Sequence, residues 1–424
     1  DRGTSATFAP TSGIGARLLL IAHCCLGWFL SFVDIKDAFL LVDQRERILV
    51  QKPTWWRMEE SAEQSNFWSL RKCLPGQRNA ASRFFDFLAE HLQSLGFKST
   101  MLLPSLFRHT ERKLMVCSHV DDLVLCGEKE DLEWLVLELR KRFTLQGGEI
   151  LPRPDQDPNE PIRFLKKRHF FTKAGIVISP HERYSEDLLK LYSLEGRKPK
   201  STPDVSYENY DSRELDDAGK HRFRSAMGTL LYLSQDRPDL QHAVRHLSQF
   251  MAKPTAAAEA GVKHVILYLK GTPDLGILLG YQVPSNSKLD EVRGDPGTLE
   301  AGTHLVEAFT DADWAGDKSS ETRKRHSVSS AMVYVNNRLV SSWSRTQKSI
   351  ALSSCESEYL SAVSGGAEAL YVSRLWSFLV EKGVQAKIVT DSSSCRAFSQ
   401  RQGVGRLKHV ETKYLWLQIG RASC

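Results

Sequence analysis

The sequence predicts a two-part mixed chain, α+β shading into α/β, and three observations predict it. Short apolar, β-prone runs end in aspartate at four separated places, closing on Asp34, Asp121-Asp122, Asp311 and Asp391. These runs alternate with stretches whose apolar residues recur at helical spacing, such as Leu132, Leu135, Val136 and Leu139. Residues 282–304, rich in Gly, Pro and Ser, break the pattern and read as a linker between two domains. A length of 424 residues suits two or three domains of ~100–200 residues each. A hydrophobic content of 41% with 25% charged residues excludes a disordered chain. The net charge of +6 suits a polyanionic partner.

Taking the elements in order, Leu18 to Val33 is the most apolar run. It is shorter than the ~20 residues of a bilayer span and holds His23 and Gly27, so it predicts a buried helix and no membrane segment. Gly27 stops that helix, and a strand carrying Asp34 follows. Asp34 is equally readable as the N-cap of a short helix. Residues 70–85 lead through Gly76 into an amphipathic helix with Phe87, Leu88, His91, Leu92 and Leu95 on one face, stopped by Gly96. Arg78 and Asn79 offer donors to a nucleotide or template there, and a plain basic turn before a helix is the alternative.

Cys117 to Gly127 reads as strand, tight turn, strand, with Asp121 and Asp122 at the tip. Two adjacent carboxylates at the end of an apolar hairpin push at least one acid upward in pKa unless a cation sits between them. Hard divalent cations take carboxylate oxygens, and with Asp34 the three acids match a two-metal phosphoryl-transfer site. Asp also favours turns for its own sake. Lys129 to Phe143 repeats at helical spacing, and residues 163–179 predict a hairpin turning at Gly175. Between Arg163 and Lys200, ten Lys/Arg stand against four Asp/Glu, a strip suited to phosphate backbones or simply to solvent. Residues 222–272 predict helices, broken at Asp236-Arg237-Pro238-Asp239, where Asp239 caps the next helix. No chemistry is assigned to that break.

The second domain opens with a strand to Asp311, then a hairpin turning at Asn336-Asn337, which tolerate positive φ. A helix follows from Ser353, then a strand ending at Asp391 and a helix over Lys408 to Gln418 that carries Glu411. Glu356 completes a capping box with Ser353, and Asp391 is also readable as a cap. Asp313 is an alternative to Asp311, and Trp314 reads as core. Eight scattered cysteines without a C-x-x-C pair argue for a reducing interior.

Residues 33–40, VDIKDAFL, and the hairpin CSHVDDLVLCG resemble the palm of a reverse transcriptase of the copia-type LTR retrotransposon family. The resemblance implies that Asp34, Asp121 and Asp122 hold catalytic metals and that Phe39 gates against the ribose 2′-hydroxyl. His119 stands where the family has Tyr. In the family's L-x-G-x-K-Q-A-P-R stretch, Arg78 stands for its Lys, Asn79 for its Gln and Ala81 for its Pro. Residues 6–11, ATFAPT, resemble the segment just upstream of the first palm helix, which implies largely missing fingers. The hairpin at 163–179 corresponds to one that holds the primer strand. GTLLYLSQDRPDLQHAV and HVILYLKGT resemble the thumb and connection. FTDADWAGD, SSWSRTQKSIALSSCESEYLSA, IVTDSSSCRAF and LKHVETKYLWLQ resemble the family's RNase H. There the implied metal ligands are Asp311, Glu356, Asp391 and Glu411, the last standing where the family usually has Asp.

The expected organisation is therefore a partial right-hand palm over residues 1–182, a helical thumb and connection over 183–281, a linker over 282–304 and an RNase H-like mixed sheet over 305–418. Residues 419–424 read as an artefactual tail resembling translated adapter sequence. The implied function is an RNA-directed DNA polymerase joined to an RNase H, each with two Mg2+ or Mn2+ ions. The implied partners are an RNA template, a DNA primer, RNA/DNA hybrid and deoxynucleoside triphosphates. The family also implies integrase and capsid segments in a parent polyprotein, an intracellular setting and a cytoplasmic virus-like particle. The alternatives are a half-enzyme with an active RNase H and an inactive palm, and a non-catalytic nucleic-acid-binding relic.

Overall fold

The computed structural model describes residues 13–59, 66–204, 212–282, 304–317, 325–401, 403 and 411–419. The segment 6–11, most of the expected linker, residues 408–410 of the last expected helix and nearly all of the expected tail lie outside these residues. Contacts divide the chain into Asp1–Asp155 and Gln156–Cys424, and each unit is described by itself.

In the first unit, α1 (Gly13–Leu26) forms where the sequence is most apolar, and Leu18 to Ala22 are buried. Gly27 ends it at φ 68, its N–H bonded to the His23 carbonyl at 3.1 Å. Strand β1 (Phe29–Ile35) follows, and a ribbon of β2 (Leu49–Gln51) and β3 (Phe67–Ser69) stands apart from the main sheet, with the short α2 (Thr54–Glu59) between them in sequence. Next come α3 (Ala80–Ser94), β4 (Phe97–Thr100), β5 (Leu103–His109), β6 (Leu114–His119), β7 (Asp122–Gly127), α4 (Lys129–Arg142) and β8 (Leu145–Gly147). The six main strands form an antiparallel sheet in the order β4-β5-β6-β7-β1-β8, so the two acid-bearing strands, β7 and β1, are neighbours inside it. Phe84, Leu88 and Leu92 of α3 and Leu132, Leu135 and Leu139 of α4 share one core with Val33, Val116, Leu123 and Leu125. On α4 the acids Glu130 and Asp131 lie in the first turn and Arg140, Lys141 and Arg142 in the last, which complements the helix dipole at both ends.

In the second unit, β9 (Ile162–Phe164), β10 (Lys167–Thr172) and β11 (Gly175–Pro180) pair with β12 (Ile277–Gly280) in the order β12-β11-β10-β9. The hairpin turns at Lys173-Ala174, one step before the expected Gly175, which opens β11 opposite Thr172. Position 175 must be glycine, because a Cβ there would lie 2.1 Å from the Leu279 carbonyl oxygen. Residues 162–180 therefore belong with the chain that follows them, whereas the sequence boundary placed them with the acid hairpin. Helices α5 (Arg183–Leu191), α6 (Asp217–Leu233), α7 (Gln241–Ser248) and α8 (Ala256–Gly271) enclose a core of Phe223, Met227, Leu230, Leu247, Val262 and Ile266.

The break before α7 is a 3-10 turn, Pro238–Leu240, but Asp239 does not cap the helix. Its carboxylate is taken by Arg237, at 3.0 and 2.8 Å, and by the Tyr268 hydroxyl at 2.9 Å.

The last sheet has the order β15-β14-β13-β16, built from β13 (His304–Asp317), β14 (His326–Val335), β15 (Arg338–Thr346) and β16 (Val384–Val389). The first three are antiparallel neighbours, and β16 runs parallel to β13. Asn336 and Asn337 both adopt positive φ, 46° and 65°, in the two-residue turn between β14 and β15. Helix α9 (Ser354–Val380) lies on β13, β14 and β16, and α10 (Ser393–Gln400) and α11 (Trp416–Ile419) follow. None of the seven described cysteines is in a disulfide. No helix among the described residues is long and apolar enough to cross a membrane.

Candidate active sites

Asp34 on β1 stands directly opposite Asp122 on β7. Directly paired residues share a face of the sheet, with Cβ atoms about 4.5–5.5 Å apart. Their neighbours Val33 and Leu123 point into the core under α3 and α4, so alternation turns both acids to the other face. Asp121 occupies the two-residue turn between β6 and β7, and its carbonyl accepts the Ile35 N–H at 3.0 Å, tying the tip to the end of β1. All three acids are half-buried. Val120, the first turn residue, has φ 63 while Asp121 does not, the signature of a type II′ turn that glycine normally fills. A β-branched residue there is strained, and the paired strands on either side hold it.

Phe39 lies in the 3-10 turn Ala38–Leu41 just beyond β1, half-buried and edge-on to Phe84 of α3 at 6.4 Å. Arg78 is exposed and Asn79 half-buried in the turn that enters α3. His119 pairs with Asp122 across the hairpin.

A second group of acids forms in the second unit. The parallel pair of β13 and β16 ends at Phe309 opposite Val389, and Asp311 and Asp391 leave it at the same level. Ser392, not Asp391, caps α10, its hydroxyl accepting the Cys395 N–H at 3.2 Å, so the Asp391 carboxylate is free of that duty. Glu358 of α9 joins them: carboxylate oxygens of Asp311, Glu358 and Asp391 lie within 4.8 Å of one another.

The comparisons with known proteins bear on both groups. Residues 4–150 match the family model described as reverse transcriptase (RNA-dependent DNA polymerase). The chain is 28% identical over 386 residues to the retrovirus-related Pol polyprotein from transposon RE1 of Arabidopsis thaliana, covering 89% of this chain and 24% of that protein. It is 26% identical over 418 residues to the corresponding polyprotein from transposon TNT 1-94 of Nicotiana tabacum, covering 95% of this chain and 29% of that one. The chain belongs to the copia-type retrotransposon reverse transcriptase family. It spans about a quarter of the length of these two relatives. A shorter match, 33% identical over 151 residues, covers 90% of secreted RxLR effector protein 161 of Plasmopara viticola and 35% of this chain.

In this family member the sequence expectation of Glu356 beside Asp311 and Asp391 is replaced by Glu358. Glu356 is buried at the start of α9, where its N–H bonds the Ser353 hydroxyl at 3.2 Å and its carboxylate accepts the Leu352 N–H at 2.8 Å. Residues two apart on a helix point about 200° apart, so only one of the two glutamates can face the strand. Glu358 shares its stripe with Ser361, which bonds the Asp311 carbonyl at 2.8 Å, and with Gly365, where a Cβ would lie 2.3 Å from Thr310 Cγ2. That small-residue stripe was readable in the sequence, as was the capping box that occupies Glu356. Glu411 is exposed and paired with Lys413 at 2.6 Å, outside the three-acid group.

Like charge is crowded in both groups, but among the described residues only Asp311, Glu358 and Asp391 bring carboxylate oxygens within 4.8 Å of one another, and Asp34, Asp121 and Asp122 do not. Burial, with Asp121 and Asp34 nearby, pushes the Asp122 carboxyl up to about 6. Asp34 is also raised, by burial and by Asp121, against a smaller lowering from Lys36. Burial and the charges of Asp311 and Asp391 push Glu358 up to about 7. Raised carboxyls crowded with like charge and turned to an open edge are the environment that hard, oxygen-seeking cations neutralise.

Proposed function

We propose that this chain is an RNA-directed DNA polymerase joined to a ribonuclease H, with Asp34, Asp121 and Asp122 serving synthesis and Asp311, Glu358 and Asp391 serving cleavage. The observation that carries the reading is the placement of Asp34 opposite Asp122, with Asp121 tied to the same strand end, inside the region that matches the reverse transcriptase family. On this reading the first unit carries the palm. The second carries a helical thumb or connection followed by an RNase H-like sheet whose strand order, three antiparallel and one parallel, supports the assignment. Two Mg2+ or Mn2+ ions at each site supply the activation of the attacking oxygen and the stabilisation of the leaving oxygen.

The chain's own residues do the rest. Asp34 and Asp122 present carboxylates from neighbouring strands, so their spacing is set by the sheet rather than by a loop. Phe39, braced on Phe84, stands beside the strand end where the sugar of an incoming deoxynucleotide would lie. Arg78 and Asn79 are offered to template or nucleotide. In the second site, the Glu358 carboxylate comes from α9 to within 4.8 Å of Asp311 on β13 and of Asp391 just beyond β16.

The test is to incubate the chain with a labelled RNA/DNA hybrid, Mg2+ or Mn2+ and deoxynucleotides, following extension and cleavage in one tube. Both activities are expected, extension lost in Asp121→Asn and cleavage lost in Asp391→Asn. Extension that survives Asp121→Asn overturns the polymerase assignment.

A further inference from the structure

Helix α9 supplies Glu358 to the nuclease acids, and the rotation of the helix about its own axis decides that choice. Each residue turns it by about 100°, so a rotation that withdraws Glu358 from Asp311 and Asp391 swings Glu356 the opposite way. Beyond Glu358 the rotation is held by Ser361, whose hydroxyl lies 2.8 Å from the Asp311 carbonyl and 3.1 Å from the Ser330 carbonyl, and by the close approach at Gly365. Before Glu358 it is held by a side chain that the function above leaves unused, Gln347.

Gln347 directly follows β15 and is 8% exposed. Its main chain is fixed to the start of β14. The N–H bonds the Ser327 carbonyl at 2.8 Å, and the Gln347 carbonyl accepts from His326 Nδ1 at 2.8 Å. From there the side chain reaches across to the helix. Nε2 lies 2.8 Å from the Ser329 hydroxyl on β14, and 2.9 and 3.3 Å from the carbonyl and hydroxyl of Ser357. Ser329 is paired with Ala312, next to Asp311, and Ser357, fully buried, immediately precedes Glu358. One amide nitrogen therefore joins the strand beside one nuclease acid to the helical turn that carries another. The two hydroxyls can serve either end of an amide, but the Ser357 carbonyl only accepts and so requires a donor at this point. The amide oxygen has no hydrogen-bond partner among the described residues, so the nitrogen alone makes the tie.

We propose that Gln347 is a positioning residue for the nuclease: by holding the Ser357 carbonyl it fixes the rotation of α9 that aims Glu358 at Asp311 and Asp391, and so sets the affinity of those acids for a divalent cation. This rests on the nuclease reading of the three acids. Gln347 acts through Ser357 on Glu358.

The experiment compares the native chain, Gln347→Met, Glu358→Gln and the double variant by two measurements. One is Mn2+ binding, read from the electron paramagnetic resonance of free Mn2+. The other is single-turnover cleavage of a labelled RNA/DNA hybrid across a series of Mn2+ concentrations. Mn2+ held by the first unit is common to all these proteins and cancels. Methionine keeps the length of glutamine and removes the donor. Gln347→Met should weaken Mn2+ binding and raise the Mn2+ concentration for half-maximal cleavage about tenfold, the scale on which residues that orient metal ligands act, with DNA extension unchanged. On top of Glu358→Gln the same change should add less than about twofold, because its effect runs through Glu358. Melting temperatures check folding, and if Gln347→Met does not fold, Ser329→Ala, which removes one partner of the amide, should move the same midpoint about two- to threefold. Unchanged Mn2+ binding and midpoint in the folded variant overturn the proposal. So does an equal loss with and without the Glu358 carboxylate, the mark of a general packing defect. Cleavage and Mn2+ binding that survive Glu358→Gln overturn the nuclease reading itself, and that outcome is read from a protein that keeps Gln347.

Discussion

Glu356 and Glu358 differ by two positions and by everything that matters chemically. Replacing Glu358 with Gln should reduce hybrid cleavage by roughly 100-fold or more, the scale of removing one electrostatic group from a group-transfer site. Glu356→Gln should leave cleavage measurable and lower stability by about 1 kcal/mol, the worth of a helix cap, read from urea unfolding. Cleavage lost in Glu356→Gln and kept in Glu358→Gln would reverse the assignment. The raised carboxyls make a second prediction at this scale. Asp122 at about 6 and Glu358 at about 7 lie above their ordinary values of 3.8 and 4.5, so the folded chain holds these protons more tightly than the unfolded chain. The stability they contribute is full below the unfolded values and lost as pH rises through 6 and 7. In chelator, the melting temperature should therefore fall from pH 4 to 7 by more in the native chain than in Glu358→Gln. Millimolar Mg2+ should recover most of that fall. Equal pH profiles for the two proteins would contradict the shift.

Among the elements, α9 shows how a site is held. Its Gly365 lets the helix lie directly on β13, and the same contact sets the reach of Glu358 one helical stretch away. Gly365→Ala puts a methyl where Thr310 Cγ2 already sits and should cost about 1–3 kcal/mol of stability, with cleavage falling more than extension. An unaltered melting temperature would show that the helix can shift freely. Hairpins and helices with strong local signals were legible in advance. Asn336-Asn337 gave its turn because both residues tolerate positive φ, and Gly27 and Gly96 ended helices where they stood. Asp239 does not cap the helix because its carboxylate goes to Arg237, two residues before it, and to Tyr268, 29 residues further on; the sequence shows neither the burial of that arginine nor the approach of the tyrosine.

At the scale of the whole molecule, the basic segment from Arg163 to Lys200 is less available to nucleic acid than its composition suggests. Lys167 is spent on buried Asp236, and Arg168 bonds Ser179, Pro180 and Pro273 inside the unit. The remaining cations still predict hybrid affinity that falls at least about tenfold between 50 and 200 mM salt, as released counterions require. A flat salt profile would place binding elsewhere.

The sequence by itself determined the alternation of strands and helices, the hairpin turns and the pairs of acids at strand ends, because each depends on side chains within a few residues of one another. It also carried the family, through motifs whose order survives at 26–28% identity. Only the tertiary structure decided which glutamate joins Asp311 and Asp391, that the 162–180 hairpin pairs with β12, and that Pro238 after the Asp236-Arg237 pair lines a cavity with Asp311 and Asp391. Those three depend on partners dozens of residues away, and local propensity carries no information about which distant surface a helix face or strand edge will meet.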